Sequence, residues 1–81
     1  MILVDILIPA LDSCFDFELS EEVKVGELLR KVKELLSEKV RKLLPENEKL
    51  YFYAFYQGKL LEEELSLKEQ GVVTGERLYL I

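Results

Sequence analysis

LYFYAFYQGK, residues Leu50 to Lys59, reads as a β-strand running into a turn. A strand sends successive side chains to opposite faces. Leu50, Phe52 and Ala54 therefore share one face, and Tyr51, Tyr53 and Phe55 share the other. Gln57-Gly58-Lys59 supplies the glycine that a tight turn requires. A chain of 81 residues has room for one core, and we expect a single domain over residues 1–81. Only one face of this strand can lie against that core. The other, carrying three aromatic rings, is expected to meet a partner.

The segments on either side set the fold class. Ile2 to Ile8 is nearly continuous apolar sequence, with Asp5 marking the solvent side. Val4, Ile6, Ile2 and Ile8 then point inward, and Leu3 and Leu7 join Asp5 outside. After a turn at Ala10–Ser13, Cys14 to Leu19 alternates, with Phe15, Phe17 and Leu19 inward. The two runs read as a hairpin. The period then changes. Val25, Leu28, Leu29, Val32, Leu35, Leu36, Val40 and Leu43 follow helical spacing and predict one long helix over about Lys24–Leu43, ended by Pro45. Ser20, Glu21 and Glu22 suit its N-terminus, and Gly26 is read as a place of close approach to the sheet. Beyond the opening stretch, Leu60-Leu61 offers a short return strand. Leu67–Gln70 forms a helical turn stopped by Gly71. Thr74-Gly75-Glu76 turns again, and Arg77–Ile81 is the last strand, with Leu78 and Leu80 inward. This order predicts an α+β, β-grasp arrangement: a mixed sheet of four to five strands with one helix on one face. The first and last strands should be central neighbours, with the third strand beside the last.

Composition removes several classes of function. The net charge of −5 opposes nucleic-acid binding. Charge is uneven: Lys24–Lys42 carries +4 and the remainder −9. No apolar run approaches the roughly 20 residues of a membrane span, and the opening segment reads as a strand rather than a signal peptide. We expect a cytoplasmic protein. The sequence has no histidine, the commonest general base. Cys14 sits beside Asp16 and Glu18, which oppose thiolate formation. One cysteine can neither close an internal disulfide nor hold an iron–sulfur cluster. The Glu62-Glu63-Glu64 run and Glu46/Glu48 lack metal-ligand spacing. No catalytic residue, metal site or cofactor is expected.

FYQGKLL followed by LKEQGVVTGERLYLI resembles the corresponding stretch of ubiquitin. Val4-Asp5-Ile6, Phe15-Asp16-Phe17-Glu18-Leu19 and the closing segment Gln70–Leu78 are similar to small bacterial ubiquitin-like proteins of the YukD/EsaB family. That resemblance implies a non-enzymatic, cytoplasmic, non-conjugated accessory protein of Gram-positive type VII (WXG) secretion. The long, basic helix departs from the family pattern. No glycine follows Gly75, whereas a conjugated modifier or sulfur carrier needs a Gly-Gly tail. The resemblance to ubiquitin's turn and final strand places Phe55, Gly58, Tyr79 and Ile81 on its apolar recognition patch.

Strand parity adds Tyr51 and Tyr53 to that patch. Contiguous outward aromatics favour a protein interface, since tyrosine suits a surface that also meets water. The expected site is Tyr51, Tyr53, Phe55, Gly58, Tyr79 and Ile81. Its expected occupant is a secretion component or a second copy of the chain. Two other readings stay open: a self-associating regulatory domain unrelated to secretion, and a sulfur-carrier relative that has lost its tail.

Overall fold

The computed structural model describes residues 1–36, 42 and 50–81. Strand β1 (Ile2–Ile8) leads through a 3-10 turn at Pro9–Leu11 into β2 (Ser13–Leu19). Helix α1 (Val25–Leu35) follows, then β3 (Phe52–Ala54), β4 (Lys59–Leu60) and β5 (Arg77–Leu80). The described residues form a five-stranded sheet in the order β2-β1-β5-β3-β4. β1 and β5 are parallel at its centre and the other pairs are antiparallel. The ladder continues past β3 on both sides: Tyr51 and Ile81 exchange backbone bonds, and Phe55 N–H donates to the Arg77 carbonyl. The expected mixed β-grasp sheet is present, with its strands in the expected places.

The turns follow their residues. Asp12 takes the left-handed conformation (φ 49°) that closes the β1–β2 hairpin, which short Asp side chains tolerate better than most. Gly58 (φ 65°) ends β3, its N–H donating to the Ala54 carbonyl. Gly71 (φ 76°) stops the turn begun at Leu67.

Val4, Ile6, Ile8, Leu28, Val32, Phe52, Leu67, Leu78 and Leu80 lie at the centre of the core. Each fully buried large apolar side chain contributes about 1.5–3 kcal/mol. Phe15 and Phe17 face the same side from β2, opposite Ile6 and Val4, and stay half-buried because β2 is an edge strand.

The helix corrects four expectations. It ends at Leu35, because Leu36 leaves with extended backbone (φ −70°, ψ 145°) while its N–H still donates to the Val32 carbonyl. The expected continuation through Val40 and Leu43 lies outside the described residues. Leu35 is 68% exposed and Leu36 is buried. At ~100° per residue, Leu36 falls within the Val25–Leu28–Leu29–Val32 stripe and Leu35 about 20° outside its Leu28 edge. Its N-terminus is not capped by Ser20, Glu21 or Glu22. The N–H groups of Val25 and Gly26 donate instead to the carbonyls of Leu65 (2.9 Å) and Glu63 (3.1 Å). Gly26 accordingly faces that loop rather than the sheet: a Cβ there would lie 3.5 Å from Glu63 atoms.

The same loop is fastened from the other side. The buried Gln70 side chain accepts from Glu62 N–H (2.7 Å) and donates to the carbonyls of Glu62 and Ser66. Ser66 and Glu69 form a reciprocal capping box at the start of the helical turn. Glu76 also departs from its expected place in an open turn. It shares the inward parity of Leu78 and Leu80 and is 5% exposed. Its Oε1 has no hydrogen-bond partner among the described residues. Burial pushes its carboxyl above the ordinary range, partly offset by a hydrogen bond from the Arg77 backbone.

Candidate protein interface

The helix covers one face of the sheet, and register determines what the other face displays. Cys14 opposes Leu7, Leu7 opposes Tyr79, Tyr79 opposes Tyr53, and Tyr53 opposes Leu60. These five residues form one row across all the strands, on the side away from the helix. The adjacent row runs Asp16, Asp5, Arg77 and Phe55.

Where the rows cross β5 and β3, the aromatic side chains pack together. Tyr53 and Tyr79 stack, with centroids 6.1 Å apart and planes 13° apart. Phe55 meets Tyr79 edge-on at 5.7 Å, and Tyr56 meets Phe55 edge-on at 5.3 Å. The Arg77 guanidinium lies 6.0 Å from the centre of the Phe55 ring, near the outer limit for a cation–π contact. Phe55 is 46% exposed, and Tyr53 and Tyr79 are half-buried. The rings are thus held by one another while keeping an accessible surface.

Of the six expected site residues, Tyr53, Phe55 and Tyr79 form this cluster. Tyr51 and Ile81 are exposed and paired through their backbones at one end of it. Gly58 closes the β3–β4 turn, where a Cβ would lie 3.8 Å from the Tyr53 hydroxyl. Three further residues border the cluster: Tyr56 and Leu60, both strongly exposed, and Arg77. Arg77 has the same parity as Tyr79 and Ile81, so alternation alone was enough to place it.

The electrostatics change across the sheet. Asp5 and Asp16 oppose each other directly. A side-chain hydrogen bond that protonated Asp16 donates to the Asp5 carboxylate, reinforced by the Asp5 charge, raises the Asp16 carboxyl above its ordinary value. On the helix side, Lys24 pairs with Glu64 at 3.7 Å, while Arg30 and Lys31 are exposed. Among the described residues no group of three or more Asp, Glu, Cys or His side chains is placed to hold a metal. No helix among them is long and apolar enough to cross a membrane.

The mixed sheet with α1 on one face defines a ubiquitin-like β-grasp fold. Solved structures of that class superpose on it closely. The ubiquitin-like domain of EccD5 from Mycobacterium xenopi aligns with a TM-score of 0.75 and 22% identity, over 99% of this chain and 91% of that one. Ubiquitin from Caldiarchaeum subterraneum gives 0.72 and 22%, over 99% and 90%. A chain of the MycP5-free ESX-5 inner membrane complex gives 0.74 and 19%, over 99% of this chain but 20% of that longer one. No curated protein matches the sequence. Residues 2–80 match the family described as "WXG100 protein secretion system (Wss), protein YukD", and the chain belongs to that family.

Proposed function

We propose that this chain is a non-conjugated, non-enzymatic ubiquitin-like adaptor in the cytoplasm, an accessory component of a Gram-positive type VII secretion system. It acts by docking the Tyr53–Phe55–Tyr79 face onto a protein of that system. The family supports the secretion role, and the likeness to a chain of an ESX-5 inner membrane complex favours a membrane-associated partner. The observation that carries the docking role is the packed, half-open aromatic cluster. A few aromatic anchors usually dominate interface energy, each worth about 2 kcal/mol or more when truncated. Arg77 beside Phe55 adds a second favoured interface residue type.

The test is co-purification of tagged chain with the type VII membrane complex of the source bacterium. Wild type should retain the complex. Phe55→Ala, folded and equally abundant, should retain roughly thirtyfold less at limiting concentration, as expected for a loss of about 2 kcal/mol. Equal retention by both would refute docking through this face. Concentration-dependent dimers that vanish with Phe55→Ala, with no complex retained, would favour self-association instead.

A further inference from the structure

The far edge of the sheet is a second candidate surface. β2 ends the strand order, and among the described residues nothing pairs with its outer edge. Backbone bonds identify which groups are open there. Leu3 accepts from Gly75, and Asp5 donates to Glu76, so both use their backbone groups toward β5. Alternate residues of a strand direct theirs to opposite sides. Val4 and Ile6 therefore bond to β2, at Phe17 and Phe15. That leaves the N–H and C=O groups of Cys14, Asp16 and Glu18 directed outward from the edge.

The side chains at this edge indicate the kind of strand it fits. Cys14, Asp16 and Glu18 are exposed on the outer face, with Asp5 beside Asp16. No ion pair among the described residues involves these three carboxylates. Asp5 and Asp16 are opposed like charges, an arrangement that costs stability in a sheet and that a cation would relieve. On the inner face, Phe15 and Phe17 pack at 6.4 Å and remain half-buried at the core margin.

We propose that β2 accepts an extended segment of another protein by strand addition, and that this segment alternates basic and apolar residues. Its Lys or Arg side chains lie opposite Asp16 and Glu18. Its apolar side chains fall on the other face and finish covering Phe15 and Phe17. Main-chain bonds to Cys14, Asp16 and Glu18 hold it, as in other edge-strand recognition. A second copy fits poorly, because the antiparallel register that uses all three residues sets Asp16 against Asp16. The acidic side chains thus guard the edge against self-pairing while selecting a basic partner. This surface is independent of the aromatic face: its backbone groups lie on β2, whereas the cluster lies on β3 and β5.

The test is an NMR titration of the intact chain with a short blocked peptide of alternating lysine and valine. Amide exchange at Cys14, Asp16 and Glu18 should slow, while Phe15 and Phe17, already bonded to β1, change little. The Asp16→Asn/Glu18→Gln double variant should remain folded and bind about fivefold more weakly at low salt, on the scale of two cross-strand ion pairs. Equal binding of a glutamate–valine peptide would overturn the charge assignment. Equal binding of the lysine–valine peptide methylated at every backbone nitrogen, which has no N–H to complete a ladder, would overturn strand addition. Shifts confined to Tyr53 and Tyr79, absence of binding, or protection of the three amides by dimerisation without peptide would each overturn the proposal.

Discussion

Phe52 and Phe55 are three positions apart in one continuous ladder, yet they should respond oppositely to truncation. Phe52 is 0% exposed and backs onto the core through β3. Removing its ring leaves a cavity, so Phe52→Ala should cost about 3–5 kcal/mol. A domain of this size has only ~4–12 kcal/mol of total stability. The loss corresponds to a fall in Tm of roughly 12 °C or more at ~4–8 °C per kcal/mol. Phe55 is 46% exposed and opens to solvent. Its truncation loses about half of a side-chain burial term, ~1 kcal/mol, and part of the edge-on contact with Tyr79, but leaves no closed cavity. Phe55→Ala should therefore cost about 1–2 kcal/mol and still melt cooperatively. Urea denaturation followed by circular dichroism measures both. Equal destabilisation by the two variants would show that Phe55 is a core residue and refute the assignment of faces.

Val32 is fully buried on α1, so Val32→Asp should unfold the domain through an unpaired buried charge costing several kcal/mol; retention of a cooperative melt near the wild-type temperature would contradict the packing. Glu76→Gln should raise Tm at neutral pH by removing a buried carboxylate. The folded state holds the Glu76 proton more tightly than the unfolded state does. The wild-type penalty is therefore full above the raised pKa and lost as pH falls through it. The gain from Glu76→Gln should shrink over that interval in melts taken as a function of pH, and a gain independent of pH would exclude this cause.

Much of the fold was legible because period and punctuation agree. Alternation in Ile2–Ile8 and Cys14–Leu19, the stripe at Val25–Val32, and the glycines at Gly58, Gly71 and Gly75 each direct the chain locally. What sequence reading missed depends on distant partners. The first amides of α1 are satisfied by Leu65 and Glu63, some forty residues away, so no nearby capping residue marks the helix start. Gln70 looks like an ordinary surface glutamine until the loop it fastens folds around it. Glu76 could have been placed inward by its parity with Leu78 and Leu80, but its charge and adjacent glycine favoured a turn. At the candidate interface, parity alone put Tyr53, Phe55 and Tyr79 on one face. The stacked and edge-on geometry that binds them into a cluster depends on β3–β5 register, which the order of elements suggests but the side chains do not specify.

Docking through the aromatic face is tested most directly by complementation. In a strain lacking this chain, plasmid copies of wild type and Phe55→Ala would be compared for export of WXG100 proteins into the medium, at matched levels of folded protein. Wild type should restore export, and Phe55→Ala should not. Full restoration by Phe55→Ala would contradict the account.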